Sequence, residues 1–282
     1  MKPYVLLDSG DQMKLELAGD VLMARPAPQA LWPRGLPQKE WDKAAGVYVR
    51  SSSGGGQWDW KRPAPASWTL AHGGFDILAK PTDFGHLGFF AEQAANWKTL
   101  EGLCRRLPPG TKALNLFAYS GLASLAMARG GAAVTHLDAA KGMVEWGREI
   151  HALNPDVPNH VRWIVDDVNA FIARELRRGG VHPCVVLDPP SFGRGPKGQL
   201  WKIEQSLVPL LESCRALMGP DPLFLLLSMH SQGYTPISLE RVLAHLFRGQ
   251  GHIAAGEMTV AERGGKPLPS GIFALWTKEE LP

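Results

Sequence analysis

The sequence is poor in cysteine: the 282-residue chain has three, at positions 104, 184 and 214. They lie far apart, form no C-x-x-C pair and have no clustered histidines beside them. This spacing argues against a disulfide framework and predicts no zinc or other metal site. We expect each cysteine to be a small buried apolar side chain in a reducing compartment.

Long apolar runs are also missing. No segment approaches the roughly 18 consecutive apolar residues that indicate a membrane helix. The start "MKPYVLLDSGDQMKLELAG" is interrupted by Asp8, Asp11 and Lys14 before a signal-peptide core forms. We therefore expect a soluble cytoplasmic protein without a membrane partner. The net charge of +3 and pI of 8.8 permit an anionic partner without demanding one.

The chain has no internal repeat, and its composition and its pattern of predicted strands and helices change once. Residues 1–86 hold five of the ten tryptophans, many prolines and short extended runs, which predicts a small β-rich domain and a candidate for substrate binding. A Ser/Gly-rich loop, "SSSGGGQ" (Ser51 to Gln57), either interrupts a module or ends one. Residues 87–282 alternate strands with helical patterns at least five times, which predicts a doubly wound, mostly parallel α/β sheet covered by helices on both faces. The last two extended runs suit an antiparallel pair at one edge.

Acidic residues follow successive predicted strands. A tight turn, Phe117 to Gly121, follows the first strand, and Asp138, then Asp166 and Asp167, then Asp188 follow the next three. Ligands of such sheets bind at the carboxyl ends of the strands, and a series of carboxylates there suits a cationic, hydroxyl-rich ligand such as a ribosyl sulfonium. A dinucleotide would need G-x-G-x-x-G, and "FAYSGLAS" offers only Gly121. Each aspartate could instead be a helix N-cap.

Four segments in order, "LNLFAYSG", "HLDAAKGMVEWGREIHALN", "VDDVNAFI" and "VVLDPPSFGRG", resemble motifs I to IV of class I S-adenosylmethionine-dependent methyltransferases. They are most similar to the bacterial branch that contains the large-subunit ribosomal RNA methyltransferases, and "HLGFFAEQAANW" resembles an element upstream of motif I in that branch. The resemblance covers roughly residues 75–282 and includes no recognisable PUA domain. It implies a seven-stranded Rossmann-like sheet and S-adenosylmethionine as the cofactor.

The resemblance also implies cofactor contacts. The turn would lie along the methionine part of the cofactor, and Asp138 would hold the ribose. Asp167, alone or together with Asp166, would accept from the adenine amino group, and Val168 would flank the ring. The upstream element would close the site. The predicted cofactor-binding residues are Phe90, Gln93, Phe117, Ala118, Tyr119, Ser120, Gly121, Asp138, Ala139, Asp166, Asp167, Val168 and Asp188. Alternatively, Phe89 and Phe90 are core residues only.

The "DPPSF" turn is the candidate catalytic site, with Asp188, Pro189, Pro190 and Phe192 as its residues. Two prolines remove two donors, which leaves carbonyls and the Asp188 carboxylate as acceptors for an amino group. Phe192 is placed to stack on a planar base, or it is a hydrophobic plug behind the turn.

Relatives that methylate carbon 5 of cytosine need a cysteine after the fifth strand, where this chain has Ser228, Met229 and His230. The missing thiol favours transfer to nitrogen. His230 would take a proton or contact the substrate, or it is a surface histidine.

Basic residues suggest a polymer substrate. Arg194 and Lys197 in "GRGPKG" are candidates for phosphate contacts on a loop that orders on binding, or the loop is merely solvated. A second basic set lies among the N-terminal tryptophans, where either an RNA-binding face or a small stapled core explains it: Arg25, Arg34, Lys39, Lys43, Arg50, Lys61 and Arg62. We predict methylation of RNA, most simply ribosomal RNA. A small-molecule or protein methyltransferase and a non-catalytic RNA-binding factor are the alternatives, and the oligomeric state stays open.

Overall fold

A computed structural model describes residues 1–51, 55–194 and 200–280. The chain divides into two compact units, residues 1–95 with 258–270 and residues 96–257 with 271–282. Each unit is described by itself below.

The first unit is built from β-strands, as the sequence predicts. A five-stranded sheet has the order β1 to β5, and a separate hairpin pairs β6 with β7. Their bounds are β1 Tyr4–Gly10, β2 Met13–Ala18, β3 Val21–Pro26, β4 Gly46–Arg50, β5 Gly56–Trp60, β6 Trp68–His72 and β7 Phe75–Ala79, with a one-turn helix α1 at Gln38–Trp41.

The N-terminal tryptophans hold this unit together through their indole N–H groups. Trp32 donates to the carbonyl of Ser9 and Trp68 to that of Ala18, both at 2.9 Å. Trp41 donates to the buried Asp8 carboxylate at 3.0 Å. These bonds favour the stapled-core interpretation of the aromatic residues.

A buried ionic cluster lies on β1, β2 and β3. Glu16 is fully buried and accepts from the Tyr4 hydroxyl at 2.5 Å and from Arg25 Nε at 2.6 Å. Arg25 also donates to the carbonyl of Gly85 at 2.8 Å. Burial raises the pKa of Glu16, but Arg25 and Lys14 outweigh burial and lower the pKa to about 2. Arg25 therefore belongs to the buried core of this unit and not to the proposed RNA-binding face.

The second unit contains the doubly wound sheet that the alternation predicts. The seven strands have the order β10, β9, β8, β11, β14, β16, β15. The first five are parallel, and β16 is antiparallel to β14, so the predicted antiparallel edge is confirmed. The strand bounds are β8 Lys112–Leu116, β9 Ala133–Asp138, β10 Val161–Val165, β11 Cys184–Leu187, β12 Phe192–Arg194, β13 Leu200–Lys202, β14 Phe224–Met229, β15 His252–Ala261 and β16 Pro267–Thr277.

Six helices follow in the chain order α2 Ala94–Arg105, α3 Leu122–Arg129, α4 Lys141–Leu153, α5 Val168–Arg177, α6 Ile203–Leu217 and α7 Pro236–Leu246. One face of the sheet packs its leucines and valines against α5, α6 and α7 in a continuous core. Since the central strands are buried on both faces, they read as nearly unbroken apolar runs such as "CVVL". Gly130 is the C-cap of α3, and Gly179, with a φ of 68°, follows the C-cap of α5.

We expect the Glu16 cluster to make the protein sensitive to acid. The pKa of Glu16 is lowered on folding, so its contribution is present above pH 4.5 and is lost as the pH falls from 4.5 to about 2. The shift corresponds to roughly 3 kcal/mol. Glu16→Gln should lower the free energy of unfolding at pH 7 and flatten its pH dependence in this range, as measured by denaturant titration. Glu40→Gln, which breaks the exposed ion pair with Lys43, is the control and should change little. A Glu16→Gln protein with wild-type stability at pH 7 would contradict this role.

Candidate active site

The turn after β8 has an unusual backbone. Phe117 and Tyr119 have φ values of 53° and 51°, and Gly121 has a φ of 87°. Left-handed conformations cost free energy for residues with a side chain, and such outliers concentrate at functional sites. The Ala118 amide donates to the Leu137 carbonyl at 3.1 Å, so the turn stays attached to the end of β9.

Gly121 is required by close packing as well as by its backbone conformation. A Cβ atom there would lie 3.0 Å from the Trp163 ring and 3.2 Å from the ring of His136. His136 is fully buried and contacts Ser124 Oγ at 3.1 Å. Burial lowers the pKa of His136 to about 3, so its ring is neutral beneath the turn. Trp163 is a supporting residue that the motif analysis missed, because it lies inside β10 and not at its end.

Asp138 ties two strand ends together. Its Oδ2 atom accepts from the Tyr119 amide at 2.9 Å, and its Oδ1 atom accepts from the Ala140 amide at 2.9 Å. Burial raises the pKa of Asp138, while the two amides partly offset that increase. Within the described part of the chain, Asp138 has no cationic side-chain partner. Each carboxylate oxygen has two lone pairs, so it can accept a further hydrogen bond from a ligand hydroxyl.

The carboxylates of Asp166 and Asp167, which follow β10, already have partners within the protein. Asp167 Oδ1 accepts from the Ala170 amide at 2.9 Å and caps α5, as the N-cap alternative predicts. Asp166 forms an ion pair with Arg174, and its amide donates to the Asp138 carbonyl at 3.2 Å. Val168 is buried in the first turn of α5. The predicted adenine contact stays a prediction.

Asp188 follows β11 and faces His230, which follows β14. His230 Nδ1 lies 3.4 Å from Asp188 Oδ1, and both side chains are between a quarter and a third exposed. The two predicted residues are thus brought together from neighbouring strand ends.

The chain after Asp188 forms a β-hairpin that the sequence analysis did not predict. Pro189 is buried and Pro190 is exposed. The strands β12 and β13 pair antiparallel, and α6 begins at Ile203. In this hairpin "FGR" pairs with "LWK", and Trp201 is partly buried against the core of the second unit.

The hairpin has two different faces. Phe192 is 58% exposed, so it is not a hydrophobic plug behind the turn. Trp201, on the opposite face, contacts Phe117 with ring centroids 5.3 Å apart, and its indole donates to the Pro190 carbonyl at 2.6 Å. Trp201 therefore connects the turn after β8 with the turn after β11. Its sequence signal is the alternation of outward and inward residues in β13.

Some predicted residues are not placed against this site. Lys197 lies outside the described residues, and Arg194 is described only by its backbone pairing with Leu200. Phe90 and Gln93 belong to the first unit, where Phe90 contacts His86 with ring centroids 5.2 Å apart and the Gln93 amide donates to the Phe90 carbonyl. Their predicted contact with a cofactor stays a prediction. Phe89, next to Phe90, is buried in the core.

The cysteines are buried and free, as expected. Burial raises the pKa of Cys104 and of Cys214 to about 12, and it also raises the pKa of Cys184. No thiolate is available at neutral pH. The described residues contain no group of three or more side chains suited to a metal ion and no helix long and apolar enough to cross a membrane.

Comparisons with known proteins agree on the fold and on its chemistry. A family model of S-adenosylmethionine-dependent methyltransferases matches residues 101–219. The crystal structure of the SAM-dependent methyltransferase from Agrobacterium tumefaciens is 35% identical, with a TM-score of 0.91, and the match covers 98% of this chain and 90% of that one. A methyltransferase structure complexed with SAH has 17% identity and a TM-score of 0.73, and the match covers 98% of this chain and 76% of that one.

A curated relative adds a substrate class in its name. The "Ribosomal RNA large subunit methyltransferase" of Deinococcus radiodurans is 36% identical over 108 residues, which are 38% of this chain and 26% of the relative. The chain thus spans about a quarter of that relative's length.

Proposed function

Since the chain belongs to the S-adenosylmethionine-dependent methyltransferases, we propose that it transfers a methyl group to a base nitrogen in RNA, with ribosomal RNA as the acceptor. The observation that carries this proposal is the acceptor turn. There, Asp188 faces His230 beside an exposed Phe192, in a chain whose three cysteines are all buried.

The residues at the strand ends fit the cofactor. S-adenosylmethionine supplies an electrophilic methyl group on a sulfonium sulfur and has two ribose hydroxyls. Asp138 provides carboxylate oxygens without a competing cation among the described side chains. We assign the ribose to Asp138 beside Ala139, and the methionine part to the turn from Phe117 to Gly121, where the absent Cβ of Gly121 leaves room for packing. Asp167, Val168, Phe90 and Gln93 complete the proposed cofactor contacts.

Asp188 and His230 are proposed to prepare the acceptor. We assign to His230 the tautomer with its proton on Nδ1, which lies 3.4 Å from Asp188 Oδ1, so that Nε2 carries the lone pair. The acceptor nitrogen loses one proton as it gains the methyl group, and Nε2 is the proposed proton acceptor. Carbonyl groups of the Asp188-Pro189 segment are proposed to position the amino group, whereas the Pro190 carbonyl is held by Trp201.

The buried thiols support nitrogen as the target. Methylation of carbon 5 in a pyrimidine begins with attack by a thiolate on the ring. All three cysteines are buried, and burial raises the pKa of each thiol. Nitrogen already has the electron pair that forms the new bond, so no covalent enzyme adduct is needed.

The RNA part of the proposal rests on the name of the Deinococcus radiodurans relative and on Phe192. A side chain that is 58% exposed on a hairpin beside the acceptor turn can stack on a base. Arg194 and Lys197 remain proposed phosphate contacts, and with ribosomal RNA as acceptor the proposed location is the cytoplasm. The domain formed by residues 1–86 stays a candidate for substrate binding.

Removal of the Asp138 carboxylate should weaken cofactor binding. Asp138→Ala removes the acceptor proposed for the ribose hydroxyls, and we expect a loss of affinity of about 100-fold, since hydrogen bonds to a charged group contribute roughly 1.5–3 kcal/mol each. Isothermal titration calorimetry with S-adenosylhomocysteine measures this. Asp156→Ala, which removes an exposed carboxylate paired with Arg129, is the matched control and should bind normally. Unchanged affinity in folded Asp138→Ala would remove Asp138 from the site.

The role of His230 predicts a selective effect on turnover. His230→Gln removes the proposed proton acceptor, so it should lower kcat by about 100-fold or more, while the affinity for S-adenosylhomocysteine stays normal. Methyl-transfer kinetics and isothermal titration calorimetry measure the two quantities. An unchanged kcat in folded His230→Gln would remove His230 from the proton transfer.

The proposed function is tested directly in RNA. Nucleosides from the ribosomal RNA of cells with and without the gene are compared by mass spectrometry, and we expect one N-methylated nucleoside to be lost and then restored by the wild type. His230→Gln should restore it only partly. A C-methylated nucleoside, or no difference in any RNA fraction, would contradict the proposal.

A further inference from the structure

A groove of about 790 Å³ lies between α6 and α7 in the second unit. Its apolar floor is formed by Val208, Leu211, Val242 and Leu246. Val208 remains 44% exposed although it borders a fully buried Leu211. The groove uses the later turns of both helices, which return toward the amino ends of the parallel strands. It is therefore separate from the acceptor turn at the carboxyl ends.

The border of the groove is strongly basic. Arg215, Arg241, Arg248 and His245 line it, against a single carboxylate, Glu212. Arg215 is occupied, because it donates to the Gly219 carbonyl at 2.9 Å and its guanidinium lies 5.6 Å from the centre of the Phe247 ring. Arg241 and Arg248 form no ion pair with any carboxylate in the described parts of the chain. Two positive charges thus line the groove without an ion-pair partner among the described residues.

Arg248 has a left-handed backbone conformation, which costs free energy for a residue with a side chain. Arg248 has a φ of 53°, just after the end of α7. Its amide donates to the His245 carbonyl and the Gly249 amide donates to the Ala244 carbonyl, a pairing that normally has glycine at this position. Left-handed glycines, Gly131, Gly179 and Gly219, follow α3, α5 and α6. At this edge of the groove the chain therefore has an arginine where a glycine would avoid the backbone strain.

We infer that this groove docks an acidic amphipathic helix from another protein. The apolar floor receives the apolar face of such a helix, and the arginines meet carboxylates on its flank. Arg241 lies on α7 and Arg248 follows the end of that helix, so the two positive charges border the groove at separate points.

RNA fits this groove less well than a protein helix. A sugar-phosphate backbone would use the arginines, but it gains nothing from four apolar side chains on the floor. The described residues that line the groove include no Phe, Tyr or Trp side chain on which a base could stack. Phe247, which follows Leu246 in the chain, is buried and stacks on Trp276 with ring centroids 3.7 Å apart.

Fluorescence anisotropy with synthetic peptides and the full-length protein tests the inference. The probe is a labelled helical peptide of about 16 residues with leucines on one face and glutamates beside them. Two controls are a scrambled peptide of the same composition and a version with lysine in place of glutamate. We expect the acidic amphipathic peptide to bind at least about tenfold more tightly than either control.

Variants locate the binding. Arg241→Glu combined with Arg248→Glu should weaken peptide binding about tenfold or more. Arg177→Glu reverses an exposed charge on α5 outside the groove and should leave peptide binding unchanged. Arg248→Gly relieves the backbone strain, so it should weaken binding without lowering the melting temperature. None of these residues belongs to the proposed catalytic site, and methyl transfer should continue.

Three results would overturn the inference. One is equal binding of the acidic and scrambled peptides, and another is equal weakening by the Arg177→Glu variant, since both indicate non-specific attraction. The third is displacement of the peptide by a single-stranded RNA of about 20 nucleotides whose own affinity falls with the double arginine reversal, which would assign the groove to RNA.

Discussion

The Asp138 carboxylate is the connection on which the geometry of the site depends. It accepts one hydrogen bond from the Tyr119 amide in the turn after β8 and one from the Ala140 amide just before α4. These two bonds hold the left-handed turn at Tyr119 against the end of β9, and Gly121 then packs on Trp163 below. The same carboxylate is buried enough for its pKa to rise, which makes a ligand that donates hydroxyl groups favourable there.

The acceptor side of the site is built by a different device. Two prolines stop α6 from starting directly after β11, and the chain forms a short hairpin instead. Trp201 on its inner face contacts Phe117 and holds the Pro190 carbonyl, while Phe192 on its outer face stays exposed. The hairpin thus joins the proposed cofactor turn to the proposed acceptor turn, and it leaves an aromatic surface for a base.

Charge has different roles in different parts of the molecule. In the first unit, Arg25 serves the buried carboxylate of Glu16, and the N-terminal tryptophans donate to backbone carbonyls, so much of the basic and aromatic character there is structural. In the second unit, Arg241 and Arg248 border a groove with an apolar floor and no described carboxylate partner. Composition alone does not separate these roles, since the same residue types serve the core in one unit and face solvent in the other.

The order of strands and helices, the antiparallel edge and the position of each aspartate at a strand end could be predicted from the sequence, because they depend on local periodicity and on the rule that parallel strands end at one edge. The partner of each carboxylate could not. Asp166 pairs with Arg174, Asp138 with amides on both sides, and Asp188 with His230. These choices, like the role of Trp201, depend on strand register and on which side chains are buried together, and only the tertiary structure decides both.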